Sequence, residues 1–172
     1  MRKLAMILSV ILLAALTSTT AVATDRDRDR NQVATRGTER FKSNALFNST
    51  FSFRPGTIEV ESGDSATWVD RDRLDAPHTI TVVEEHPGDL EELFFCREAG
   101  GACREAIDAH FPPGQPPVPV VNVGEPGLDS PGDSLLMFPG TSVTEVVSAP
   151  SGATLLYICA FHPWMQGSIE VE

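Results

Sequence analysis

The closing segment from Thr154, TLLYICAFHPWMQGSIEVE, sets Cys159, His162 and Met165 at spacing C-x2-H-x2-M between two strand-like runs. A short loop held at both ends by strands can turn all three side chains toward one point. A soft thiolate, an imidazole and a thioether suit copper, and one more imidazole would complete a trigonal His2Cys set with a weak axial Met. His78, in the turn DAPHTI, is the residue placed to supply it.

The first residues read as a secretory signal. Arg2 and Lys3 precede an apolar run from Leu4 to Leu16, and Ala21-Val22-Ala23 forms an A-x-A cleavage site. Residues 1–23 are therefore expected to be removed, and the protein to be exported: periplasmic, on the cell surface or extracellular. The run is too short for a membrane span and no cysteine follows it to carry a lipid. The chain carries 13 basic against 24 acidic residues, a net charge of −11, and without Arg2 and Lys3 the balance is 11 against 24. That excess argues against nucleic acid. It fits a well-solvated surface, or steering of a basic redox partner by long-range attraction.

Three cysteines in an exported protein leave one unpaired. Cys96 and Cys103, close together in FFCREAGGAC, can form a disulfide, and Cys159 is then free. An exported free thiol is open to oxidation unless a metal holds it as a thiolate. Taken singly, Cys159 and Met165 would read as ordinary core residues and His162 as a turn residue. Their joint spacing favours a metal, and Met165 argues against zinc, which excludes thioethers. His86 and His110 have no partner at ligand spacing and read as surface or helix-end residues. The absence of any H-x-H pair excludes the additional copper sites of a multicopper oxidase or a nitrite-reducing enzyme.

Residues 24–44, with their DRDRDR repeat, are expected to form a disordered charged arm, and the folded domain to cover 45–172. Within it, alternation predicts strands at Thr57 to Glu61, Ala66 to Val69, His78 to Glu84, Ser142 to Ser148, Thr154 to Cys159 and Ser168 to Glu172. Short strands with Gly/Pro turns predict an all-β, antiparallel Greek-key sandwich of one domain. About 84–135 interrupts that rhythm as an insertion: two short helices hinged at Gly100-Gly101, with the disulfide, and then a proline-rich loop. Leu155 to Ile158 are apolar without alternation, so both faces of that strand are expected to be covered, with the insertion as one cover.

The opening FSFRPGTIEVESGDSATWVD, the PHTI turn and the closing YICAFHPWMQGSIEVE resemble the cupredoxins, over about Phe51 to Val83 and Val143 to Glu172. The C-x2-H-P-x-M-x-G loop is most similar to that of the amicyanins; plastocyanins and pseudoazurins set the Met further from the His. The resemblance implies one type 1 copper ion with His78, Cys159 and His162 as equatorial ligands and Met165 axial. It implies a one-electron carrier cycling Cu(I)/Cu(II), with no catalytic reaction of its own. A monomer is expected to dock its redox donor and acceptor briefly near His162 and Trp164, with Phe161 and Pro163 as apolar frame. A copper-holding or copper-delivery protein would use the same ligands. In the carrier, His162 is expected to protonate and leave Cu(I) in mildly acidic solution, raising the potential. Asp70 stands where the resembling proteins have an Asn that braces the ligand loop.

Overall fold

The structure, a computed structural model, describes residues 30–72 and 74–172. The signal peptide expected over 1–23 lies outside them, as does the first part of the charged arm. Among the described residues the strands are β1 (Gln32–Arg36), β2 (Glu39–Lys42), β3 (Leu46–Ser49), β4 (Ser52–Arg54), β5 (Thr57–Val60), β6 (Ser65–Asp70) and β7 (His78–Val83). Helices α1 (Leu90–Phe95) and α2 (Ala102–His110) follow, then β8 (Val120–Val121), β9 (Ser134–Met137), β10 (Ser142–Val146), β11 (Thr154–Cys159) and β12 (His162–Val171).

Two sheets face each other, with strand orders β10-β6-β1-β4 and β5-β12-β11-β7-β9-β8. The period-2 pattern explains the first: in β6, Ala66, Trp68 and Asp70 turn inward while Ser65 is exposed. Trp68, Phe53, Ile80, Leu135, Tyr157 and Ile169 fill the space between the sheets. Trp68 and Phe53 meet Tyr157 edge-on at 5.7 and 5.0 Å. Tyr157 lies across Gly167, where any Cβ would collide with its ring.

The expected sandwich is present, with two pairings parallel, β1 with β6 and β5 with β12, and the rest antiparallel. Part of the arm expected to be disordered is ordered. Val33 and Thr35 of β1 are fully buried against β6, because QVATR carries the inward alternation of a short strand that the neighbouring charges conceal. After it, β2 and β3 pair as a hairpin outside both sheets.

The expected insertion contains both helices and the Cys96–Cys103 disulfide. Asp89 caps α1 by accepting from the Glu92 N–H at 2.9 Å. Ile158 packs with Cys96, Cys103 and Ala106, so the insertion covers the outer face of β11. That second cover explains the lost alternation in LLYI. Strand β9, however, begins inside the span assigned to the insertion. All four of its residues are buried, and it pairs with β7 at His78↔Met137. A run buried on both faces has no alternation to reveal it.

Candidate metal centre

Three strand ends meet at one end of the second sheet. Cys159 closes β11, where the register with β12 shifts between Ile158 and Cys159, and His162 opens β12 directly opposite it. His78 opens β7, the other neighbour of β11. The Nδ1 atoms of His78 and His162 lie 3.6 and 3.5 Å from Cys159 Sγ, and the three donor atoms fall within 4.8 Å of one another. Donors bound at about 2.0 Å (N) and 2.3 Å (S) in a plane around one first-row ion stand about 3.7 Å apart. The spacing therefore fits a single metal ion. Met165 is fully buried in the same packed cluster as Cys159.

The surroundings hold these donors in place. The Thr79 N–H donates to Cys159 Sγ at 3.4 Å, and the Ala160 N–H donates to the Thr79 hydroxyl at 2.7 Å, tying the loop to β7. Phe51 is buried against both imidazoles, with ring centroids 5.3 Å from His78 and 4.7 Å from His162. His78 Nε2 lies 2.6 Å from Asp72 Oδ2. A carboxylate only accepts, so Nε2 carries the proton and Nδ1 keeps its lone pair toward the Cys159 side. Asp72 in turn accepts from the Leu74 N–H at 3.0 Å.

Asp70 does brace this end. It accepts from the Thr35 hydroxyl at 2.6 Å, the Gly140 N–H at 2.6 Å and the Asp72 N–H at 3.1 Å. Burial works to raise its pKa, but the bonds from Thr35, Gly140 and Asp72 outweigh it and the net shift is downward. An Asn there would offer one acceptor oxygen where Asp70 offers two.

Charge is costly at the centre itself. Burial pushes the Cys159 thiol up to about 11, against the opposing pull of N–H donors led by Thr79. Without a cation it is a neutral thiol at neutral pH. Burial pushes His162 down to about 4, with repulsion from His78 and Arg97 adding to it. Glu39 Oε1, 3.9 Å from His162 Nε2, acts in the opposite sense, but beyond hydrogen-bond reach and partly exposed it is too screened to offset burial.

The four residues singled out in the sequence thus share one packed region, His78, Cys159 and His162 with their donor atoms converging. His162, beside which partners are expected to dock, is only 9% exposed, with its outer nitrogen beneath Glu39 of the hairpin. Trp164 is half-buried, 5.5 Å from the His162 ring, and its Nε1 has no partner. His86 and His110 stand apart from the centre: His86 Nε2 donates to the Gly167 carbonyl at 3.0 Å. His110 ends α2 but is fully buried, donating from Nδ1 to the Val118 carbonyl at 2.6 Å, with Nε2 2.8 Å from Ser134 Oγ. Sequence reasoning missed Asp72, Glu39, Thr79 and Phe51. Of these, Asp72 had a signal, a carboxylate six residues before the turn histidine.

No known sequence family matches the chain, and no curated protein sequence matches it. Solved structures similar to it are cupredoxins. A purple cupredoxin from Nitrosopumilus maritimus is 16% identical, over 82% of this chain and 98% of that one, with a TM-score of 0.41. Auracyanin A, a "blue" copper protein from Chloroflexus aurantiacus, is 19% identical over 82% and 96%, with a TM-score of 0.42. A methionine-to-alanine variant of amicyanin in its Cu(I) form is 17% identical over 70% and 73%, with a TM-score of 0.36.

Proposed function

We propose that this protein is an exported blue copper protein, a one-electron carrier that holds one type 1 copper through His78, Cys159, His162 and Met165. The observation that carries the reading is the buried convergence of two imidazole Nδ1 atoms on one free thiol, at 3.5 and 3.6 Å, within a core that includes Met165. Bound there, copper would supply a Cu(I)/Cu(II) couple with a soft thiolate and a thioether in its coordination.

The chain's own residues do the remaining work. Asp72 holds the His78 tautomer, the Thr79 N–H is placed to favour a Cys159 thiolate, and Phe51 shields both imidazoles from water. Because His78 and His162 open strands flanking the one that Cys159 closes, the donors are fixed by the sheet, so little need rearrange as the charge changes. Electrons would pass at the His162 edge, the least buried of the three donors. No helix among the described residues is long and apolar enough to cross a membrane, and the disulfide suits an oxidising compartment. A copper-holding or delivery role would use the same donors, but the buried, braced site favours repeated electron exchange over handover.

Cyclic voltammetry of the copper-loaded protein separates the two. A reversible one-electron wave, with copper retained against a Cu(I) acceptor such as bathocuproine disulfonate, is expected. Sluggish, irreversible exchange with ready loss of copper would favour delivery.

A further inference from the structure

The hairpin of β2 and β3 has no counterpart among the sequence expectations. It leaves the first sheet at Gly37, whose φ of +152° and contact with the Phe51 backbone leave no room for a side chain. It closes at its base through the Thr38 N–H to Thr50 Oγ1 and the Thr50 N–H to the Thr38 carbonyl, both 3.0 Å. It turns at Asn44, in the left-handed region at φ 57°.

Register places Glu39 opposite Ser49 and Phe41 opposite Phe47, so these four share one face. At the base of that face Glu39 covers His162. Toward the tip, the Phe41–Phe47 pair is 76% and 59% exposed. Two aromatic rings side by side in water, on a strand pair that contributes nothing to either sheet, have no structural role in the sandwich. Leu46, also exposed, lies on the other face with Arg40 and Lys42. Residues 36–54 hold Arg36, Arg40, Lys42 and Arg54 against a single acidic residue, Glu39, in a chain whose net charge is −11. The return strand leads within two residues to Phe51, which touches both imidazoles.

We infer that the β2–β3 hairpin is the recognition element for the redox partner, and that the partner presents an apolar patch on an acidic surface. The inference rests on the carrier reading for its purpose, though not for its contacts. Phe41 and Phe47 supply the apolar anchor; Arg40 and Lys42, on the opposite face of the same two strands, give the hairpin the positive field that draws an acidic partner in, and the docked partner lies beside His162. The local charge reverses the expectation from the whole chain, whose acidic excess would select a basic partner.

Two soluble c-type cytochromes, one with an acidic haem edge and one with a basic edge, serve as probes. The acidic cytochrome is expected to bind the metal-free protein, seen as chemical-shift changes confined to residues 38–50 and the His162 edge, and to exchange electrons faster with the copper-loaded protein. Phe41→Ser with Phe47→Ser, and separately Arg40→Glu with Lys42→Glu, should each lower the exchange rate with it about tenfold, leaving the visible spectrum unchanged. Preference for the basic cytochrome, or rates unmoved by either pair of substitutions, would overturn the inference. So would hairpin-dependent binding to phosphatidylglycerol vesicles in place of the cytochrome, or a dimer that the Phe41→Ser and Phe47→Ser substitutions dissolve. A protein without a thiolate band that still binds the acidic cytochrome through the hairpin would remove the carrier reading and keep the docking surface.

Discussion

Replacing Asp72 with alanine is expected to weaken copper binding 10- to 100-fold, as loss of a partner behind a ligating imidazole does elsewhere, and to raise the reduction potential. The cause is local. Asp72 Oδ2 receives the His78 Nε2 proton at 2.6 Å, which fixes the tautomer that can ligate through Nδ1 and leaves that nitrogen richer in electrons. An electron-rich donor favours the more highly charged Cu(II), so its loss should favour Cu(I). Asp72→Asn keeps an acceptor oxygen without the charge and should fall between wild type and alanine in both properties. Chelator competition gives the affinity and voltammetry the potential. An alanine variant unchanged in both would mean that Phe51 and the strand alone orient His78.

The second large effect concerns acid. In the metal-free protein, His162 titrates at about 4, below the ordinary 6.5 that it recovers on unfolding. A group depressed in this way stabilises the fold above its unfolded value, and the contribution is lost as pH falls toward the folded one. Metal-free protein should therefore lose about 3 kcal/mol from this residue between pH 6.5 and 4. His162→Gln should lack that component, so the two urea midpoints converge as pH falls. Parallel curves for the two proteins would contradict the assignment. The same burial bears on the acid-driven rise in potential expected from the sequence. Metal competes with the proton for Nδ1, so protonation of His162 away from Cu(I) should be displaced to lower pH than an exposed histidine would show.

The centre was legible from sequence because its chemistry is concentrated: C-x2-H-x2-M fixes three residues on one loop, and His78 begins an alternating run. The fold was legible wherever one face of a strand meets water, as in Thr57–Val60 and Ser65–Asp70. It was not where both faces are covered, as in Ser134–Met137, whose four buried residues carry no period. Nor was it where ordering comes from distant pairing: Gln32–Arg36 is short and flanked by charge, and becomes a strand only beside β6. The hairpin escaped for a further reason. Its two four-residue strands are exposed on both faces, so no buried period marks them, and the one contact that ties them to the centre, Glu39 over His162, is distant in the sequence.

The most direct test of the copper assignment is the visible spectrum of the copper-loaded protein beside Cys159→Ser. An intense Cu(II)-thiolate band in the wild type that disappears in the serine variant is the predicted result, because Cys159 is the one free thiol. A wild-type protein that takes up Cu(II) without such a band, or a serine variant that retains it, would contradict the assignment.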